Sequence, residues 1–80
     1  MFFAYIIFSQ STGKYYFGHT HDLEKRLKAH NAGKTRSTKA GRPWILHYSE
    51  AFETKSEAYK REMFFKSIDG YNWLKANNIT

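Results

Sequence analysis

Two aromatic segments near the start of the chain constrain its fold more than any other feature. The first, Phe2 to Ser9, is rich in β-forming residues and apolar on both faces, which predicts a central strand covered on both sides. The second, Lys14 to Thr20, follows a turn that Gly13 supplies. The chain is therefore expected to open with an antiparallel hairpin.

This hairpin is expected to gather two phenols on one side of the sheet. Ten residues lie between Tyr5 and Tyr16. Because side chains alternate along a strand, any register with an even number of loop residues puts both tyrosines on the same face. Gly18 then shares that face, and its lack of a side chain is expected to leave open space beside the phenols.

The segment after the hairpin predicts a helix. Either Thr20 or Asp22 can cap its start, and the helix is expected to run to about Asn31 and to stop at Gly33. The polar, basic segment from Lys34 to Gly41 then predicts a loop with a short helical turn.

The inward face of this helix is not purely apolar. Leu23, Leu27 and His30 recur at helical spacing, and Arg26 falls within the same arc. A helix with a purely structural role would carry Leu, Ile or Ala in place of the two basic side chains. Arg26 and His30 are therefore candidate functional residues.

A third strand is expected to open at Pro43, because proline is tolerated at the first position of a strand. Trp44, Leu46 and Tyr48 lie two residues apart in it. The alternation of side chains predicts that these three residues share a face.

A second long helix is expected to begin at Thr54–Glu57, which forms a T-x-x-E capping box, and to reach about Ser67. Glu62 borders its apolar side. Gly70 is expected to break the helix before a short amphipathic tail. The apolar residues of the helix and the tail are Ala58, Phe64, Phe65, Ile68, Trp73 and Leu74.

These elements follow the order β-β-α-(short α)-β-α-α. Their packing predicts an α/β (α+β) fold, in which helices flank a three-stranded, mostly antiparallel sheet. Because the chain has 80 residues and shows no linker or repeat, it is expected to form a single domain over residues 1–80.

The charge of the chain favours a polyanionic partner. Lys and Arg number 13 against 7 Asp and Glu, which gives a net charge of +6. No acidic residue occurs between Lys25 and Arg42, so this stretch can lie along a phosphate backbone. The alternative is that the excess charge serves solubility alone. The candidate nucleic-acid-binding residues are Lys34, Arg36, Lys39 and Arg42.

Several classes of protein are disfavoured by the sequence. The absence of cysteine rules out a disulfide framework and a thiolate metal site. The apolar run Phe2–Phe8 is too short to span a bilayer and follows Met1 without a basic leader, so a soluble cytoplasmic protein with no membrane partner is expected. The spacing of His19, His21, His30 and His47 matches no zinc pattern.

Five side chains form a plausible set for cutting a phosphodiester with one metal ion. Arg26 offers a fork-shaped cation for a phosphate, and Glu62 a hard ligand for Mg²⁺. Either Tyr5 or Tyr16 could accept the proton of the attacking water, although a free phenol has a pKa of about 10 and would need nearby cations. His30 could orient water or, when protonated, contact a phosphate.

Each member of this set also has a structural reading. The tyrosines could be ordinary half-buried strand aromatics. Arg26 could form a structural ion pair with Glu62. His30 could be a residue favoured by the dipole at a helix C-terminus. The functional interpretation therefore depends on the combination.

The chain resembles the GIY-YIG nuclease family, and most of all its short, single-domain bacterial members related to excinuclease C. The similarity covers nearly the whole chain, and five separated elements in order make it specific. These elements are Ala4-Tyr5-Ile6 and Tyr16-Phe17-Gly18 for the two signatures, Arg26 with His30 in the first helix, Pro43-Trp44 before the third strand, and Lys60-Arg61-Glu62.

This resemblance implies residue roles and a cofactor. Tyr16 would be the general base, with Tyr5 placing water or substrate. Arg26 would neutralise the scissile phosphate, Glu62 would ligate Mg²⁺ or Mn²⁺, and His30 would position the nucleophile or a phosphate oxygen. Many nucleases of the family also use an asparagine after the glutamate helix, for which Asn72, Asn77 and Asn78 are available here.

The leading hypothesis is thus a metal-dependent DNA endonuclease of the repair or recombination type. A chain of this size has little room to read a long base sequence, so structure-selective or partner-directed cutting is expected. The alternatives are a non-catalytic module that binds DNA or RNA, and a scaffold that contacts a partner protein through exposed aromatics such as Phe52 or Tyr71.

Overall fold

The computed structural model describes residues 1–80 and confirms the expected α+β architecture, with three strands, three α-helices and one 3₁₀ turn. The elements are β1 (Phe2–Ser9), β2 (Tyr15–Thr20), α1 (Leu23–Asn31), the 3₁₀ turn (Lys39–Gly41), β3 (Trp44–Phe52), α2 (Lys55–Phe65) and α3 (Ile68–Ala76). None of these helices has the length and apolar character that crossing a lipid bilayer requires.

The sheet has the order β2-β1-β3, and both neighbours run antiparallel to the central strand β1. Tyr5 pairs with Gly18 and Ile7 with Tyr16, which confirms that the two tyrosines share a face. The expectation of open space beside Gly18 is wrong, because the ring of Tyr5 occupies that space. A Cβ at Gly18 would lie 2.4 Å from the Tyr5 hydroxyl oxygen. Glycine is therefore required for the packing of Tyr5.

A bulge in β3 overturns the prediction that Trp44, Leu46 and Tyr48 share a face. Ile6 pairs with Tyr48, whereas its neighbour Ile7 pairs with Leu46, so one extra residue of β3 lies between the two pairs. An extra residue reverses the alternation beyond it. As a result, Trp44 packs with the residues that face α1, and Tyr48 packs with those that face α2 and α3.

The helix ends follow local capping chemistry. The side chain of Asp22 accepts a hydrogen bond from the Lys25 amide, so Asp22 is the cap of α1. Gly33 follows the end of α1 with φ at +76°, a conformation that glycine adopts without strain. The predicted capping box of Thr54 and Glu57 is present at the start of α2.

The break between the last two helices does not lie at Gly70, as the sequence predicted. Helix α2 ends at Phe65, Ser67 caps α3, and Gly70 lies inside α3. A Cβ at Gly70 would lie 1.7 Å from the carbonyl oxygen of Phe64, so glycine allows α3 to pack closely against the end of α2. Ile68, which was expected on the apolar side, is 81% exposed.

Two cores lie on opposite faces of the sheet. One is formed by Ala4, Ile6, Phe65 and Leu74 against α2 and α3, and the other by Tyr5, Ile7 and Trp44 against α1. Four of the five candidate catalytic residues belong to β1, β2 and α1, around the second core.

Candidate active site

Tyr5 and His30 form the buried centre of the site on the α1 face. Tyr5 is 2% exposed and His30 is 0% exposed. The hydroxyl of Tyr5 lies 2.9 Å from Nε2 of His30, and Nε of Arg26 donates to the same hydroxyl at 3.4 Å. The alternation of β1 and the inward stripe of α1 thus bring these three predicted residues together.

The direction of these hydrogen bonds follows from Thr38. Its hydroxyl donates to the carbonyl of Thr35 at 3.3 Å, and it lies 2.8 Å from Nδ1 of His30. Because its proton is used, Thr38 accepts from Nδ1–H, which leaves Nε2 of His30 as an acceptor for the Tyr5 hydroxyl. A directed chain therefore runs from Arg26 through Tyr5 and His30 to Thr38.

His30 is neutral at pH 7. Burial, and then the positive charge of Arg26, lower its pKa from 6.5 to about 4. A neutral imidazole with no exposed surface cannot meet a phosphate as a cation, so that expected contact does not fit the structure. The geometry instead makes His30 the group that fixes the Tyr5 hydroxyl.

The two tyrosines have different surroundings. Burial raises the pKa of Tyr5, although the hydrogen bond from Arg26 opposes this effect. Tyr16 is half-buried, and its ring meets those of His30 and Trp44 with centroids 5.3 Å and 6.3 Å apart. Tyr5 is therefore held as a neutral phenol, while Tyr16 is the more accessible of the two.

Glu62 approaches from the other face of the sheet. It is 7% exposed, and its two oxygens lie 2.6 Å from Nδ1 of His19 and 2.7 Å from Nζ of Lys66. The structural ion pair between Arg26 and Glu62 is not formed, since Arg26 bonds Tyr5 instead. The hydrogen bond to Tyr5 is the main cause that raises the pKa of Arg26, and the charge of Glu62 adds a smaller contribution.

A cleft of about 220 Å³ at one end of the strands connects the two faces. Arg26 borders it from α1, His19 borders it from β2 beside Glu62, and Lys55 borders it from the start of α2. Phe2, Thr20 and His21 complete its lining. The cleft is thus bordered both by Arg26, the candidate for binding phosphate, and by His19, which contacts the Glu62 carboxylate.

The donors near this cleft fit a divalent cation that takes few protein ligands. No point in the structure is surrounded by three or more His, Cys, Asp or Glu side chains. Mg²⁺ needs one or two carboxylates and completes its shell with water and substrate phosphates, so Glu62 fits such an ion. Lys66 is 45% exposed and can release the carboxylate oxygen that it contacts.

The predicted nucleic-acid-binding residues lie away from this cleft. Lys34, Arg36, Lys39 and Arg42 are all exposed. Lys39 and Arg42 line a polar hollow of about 490 Å³, together with Asn31 at the other end of α1. The structure therefore divides the basic side chains between two surfaces, one at each end of this helix.

Two residues of the site were missed in the sequence. Thr38 looked like one of several polar loop residues, but its carbonyl also accepts from the Trp44 indole at 2.7 Å, and its hydroxyl is fully buried. His19 was considered only as part of a histidine metal site, which the structure does not form. His19 lies two residues after Phe17 in β2 and therefore on the face that packs against α2. This alternation was the sequence signal that could have placed His19 near Glu62.

The asparagine candidates remain outside the cleft. Asn72, Asn77 and Asn78 are exposed, and none of them lines it. The side chain of Asn77 donates to the Trp73 carbonyl, and Asn78 has φ at 55°, so both serve the end of α3.

Comparison with known proteins gives a consistent picture. The model of the GIY-YIG catalytic domain matches residues 1–72. A UPF0213 protein of Bacillus licheniformis is 44% identical over 69 residues, and the UPF0213 protein YazA of Bacillus subtilis is 47% identical over 55 residues. The matched regions cover 85% and 68% of this chain, and 71% and 56% of those proteins.

A solved structure also matches. The solution NMR structure of a UPF0213 protein from Bacillus halodurans aligns with a TM-score of 0.53 and 31% identity, covering 95% of this chain and 84% of that one. This neighbour supports the three-stranded sheet with three helices over almost the full chain.

Proposed function

Since the chain belongs to the GIY-YIG family, we propose that it is a metal-dependent endonuclease that hydrolyses DNA phosphodiester bonds. The observation that carries this proposal is the cleft that Arg26 and His19 both border. Glu62 is hydrogen-bonded to His19, and Arg26 is held by the Tyr5–His30 chain. Residues 1–80 would act as one catalytic domain.

Arg26 is proposed to bind the scissile phosphate. Its Nε is engaged by Tyr5, which leaves the two terminal nitrogens of the guanidinium for phosphate oxygens. Because Tyr5 is itself fixed by His30, which in turn is held by Thr38, the cation is held in place before substrate arrives. Such preorganisation is what makes charge stabilisation effective in a transition state.

Tyr16 is the better candidate for the general base. Tyr5 donates its proton to His30, and a histidine with a pKa of about 4 is a poor acceptor if Tyr5 must lose that proton. Tyr16 is half-buried on the same face, with Ile7 as its pairing partner on β1. We therefore assign proton abstraction to Tyr16 and positioning to Tyr5, through the hydroxyl that holds Arg26.

Glu62 is proposed to hold Mg²⁺ or Mn²⁺. When bound, the ion would neutralise charge on the phosphoryl oxygens and lower the pKa of a bound water. Glu62 supplies the carboxylate, and its partner His19 borders the cleft that Arg26 also borders.

DNA is the substrate that the charge of the chain fits. The exposed basic side chains at both ends of α1 can contact phosphates, which carry no sequence information. We therefore propose weak sequence preference and selection of DNA by its structure, as in repair or recombination. A non-catalytic DNA-binding module of the same fold is the second candidate, favoured by the Lys66 contact that already occupies Glu62.

A nicking assay with matched variants tests the proposal. Supercoiled plasmid and labelled branched DNA are incubated with Mg²⁺, with Mn²⁺ or with chelator. We expect metal-dependent cleavage that falls by roughly 10²-fold or more in Arg26→Ala and in Glu62→Gln. Glu24→Gln, which removes an exposed carboxylate from the helix that carries Arg26, serves as the control that keeps activity.

Three outcomes would overturn the assignment. Cleavage that persists in chelator, or that is unchanged in Glu62→Gln, would exclude Glu62 as the metal ligand. DNA binding without cleavage under every metal condition would favour the non-catalytic module.

A further inference from the structure

We propose that His19 is a second protein ligand of the divalent ion at Glu62, so that the site prefers Mn²⁺ and other transition-metal ions to Mg²⁺. This inference rests on the proposed function, because it concerns the metal of the same site. It adds a ligand from β2 to the single carboxylate from α2.

The geometry brings two donor atoms to one place. Nδ1 of His19 lies 2.6 Å from Oε1 of Glu62, and the two side chains are 25% and 10% exposed. Two atoms in direct contact can reach a common ion with little movement. His19 also borders the cleft that Arg26 borders, so the ion would lie where a phosphate can approach it.

The imidazole of His19 is fixed before any ion binds. The backbone of His19 pairs with Ala4 in the sheet, and its ring meets the ring of Tyr59 edge to face, with centroids 5.5 Å apart. A ligand whose ring is already oriented loses little conformational entropy on binding. In the structure Nδ1–H donates to the Glu62 carboxylate, so an ion bound at Nδ1 would displace this proton to solvent and leave the neutral ring with its proton on Nε2.

The positive charges around Glu62 weaken a metal site that has only one carboxylate ligand. Lys66 contacts the other oxygen of Glu62, and Arg26, His21 and Lys55 surround the cleft. One carboxylate among these cations is a weak site for a cation. An added imidazole strengthens the metal site without adding charge. The gain is larger for transition-metal ions than for Mg²⁺, because Mg²⁺ prefers oxygen ligands.

The competing explanation is that His19 merely donates a hydrogen bond that orients Glu62. The two roles differ in what touches the metal. A substitution that preserves an N–H donor should preserve orientation, whereas direct ligation requires the imidazole nitrogen itself.

The test reads ligation without any DNA. Full-length protein labelled with ¹⁵N in its histidines is titrated with Zn²⁺, a diamagnetic probe of the same site, and the ring nitrogens are observed by NMR. We expect the Nδ1 resonance of His19 to shift in the wild type and to stay in place in Glu62→Gln. His47, whose ring bonds the Ile79 carbonyl far along the sequence, is the internal control. Equal shifts for His19 and His47, or a His19 shift that survives Glu62→Gln, would overturn the proposal.

A kinetic arm separates this inference from the proposed function. In His19→Gln, which keeps a side-chain N–H, the ratio of the cleavage rates in Mn²⁺ and Mg²⁺ should fall about 10-fold or more. His47→Gln should leave the ratio unchanged. An unchanged ratio in His19→Gln would contradict the inference and leave the nuclease intact. No cleavage by any variant, with the Zn²⁺ shift of His19 present, would sink the nuclease and keep the metal site.

Discussion

The central strand β1 has a different role on each face of the sheet. Toward α2 and α3, β1 presents Ala4 and Ile6 to an apolar core that contains Phe65 and Leu74. Toward α1 it presents Tyr5, whose hydroxyl enters a buried polar chain through His30. One side of the central strand therefore contributes mainly stability, while the other side positions charge.

This division has a physical basis in the size of the chain. A domain of this length buries only a modest apolar core, so its free energy of unfolding is small. It can therefore bury polar groups only if each of them is hydrogen-bonded. No buried side-chain nitrogen or oxygen lacks a partner here. The α1 face meets the condition through its directed chain, and the aromatic core on the other face offsets the cost.

The largest expected effect is on the apolar face. Replacing Phe65, which meets Phe17, Tyr48 and Trp73, with alanine should lower the free energy of unfolding by about 3–5 kcal/mol. Chemical denaturation followed by circular dichroism measures it. A loss below about 1 kcal/mol would show that this core does not dominate stability.

Two arginines, one on each face, should separate activity from stability. Arg26→Ala should slow DNA cleavage by about 10²–10³-fold, because it removes a preorganised donor to the phosphate, and should change stability little. Arg61 instead bonds Glu50 at 2.8 Å and lies 4.5 Å from the ring centroid of Trp73. Arg61→Ala should therefore destabilise the protein.

Both variants are compared by initial cleavage rate and by denaturation midpoint, with rates corrected for the folded fraction. The division between the faces fails if Arg61→Ala, once corrected, loses as much activity as Arg26→Ala.

The pH dependence should come from the α1 face. Folding lowers the pKa of His30 from 6.5 to about 4, so the unfolded chain binds a proton that the folded one excludes between these values. The associated stability is fully present above pH 6.5 and is lost as pH falls toward 4, by roughly 3 kcal/mol. Urea unfolding at several pH values, beside NMR titration of the His30 ring, measures it. A His30 that titrates near pH 6.5 in the folded protein would contradict the buried chain.

The smallest of these effects should come from Thr38. Thr38→Val leaves Nδ1–H of His30 without an acceptor in the interior, which should cost about 1–3 kcal/mol. Thr35→Val is the matched control, since Thr35 contributes its backbone carbonyl to the chain. Equal stability for the two variants would show that Thr38 does not orient His30.

Local signals in the sequence were sufficient for much of the fold. Strand alternation placed Tyr5 and Tyr16 on one face, and the Thr54–Glu57 box gave the start of α2. The bulge in β3 had no local signature, because an extra residue in a ladder depends on what the partner strand must pack. Gly70 was read as a helix breaker, although its role is to admit the Phe64 carbonyl from another helix.

The candidate site was predictable to the same extent. Helical spacing identified Arg26 and His30, whose side chains meet Tyr5 as expected from the inward face of α1. The contacts of Thr38 and His19 come from loops and strands that are distant in sequence. No spacing rule links residues 43 positions apart, as in the His19–Glu62 pair, so only the folded chain reveals it.

The most direct test of this account is the single-turnover cleavage of a labelled branched DNA by the wild type and by Arg26→Ala, each with its denaturation midpoint. We predict metal-dependent cleavage by the wild type, and a rate at least 10²-fold lower for a variant that unfolds at the same denaturant concentration. Equal rates for two equally stable proteins would contradict the claim that Arg26, held on the α1 face, binds the scissile phosphate.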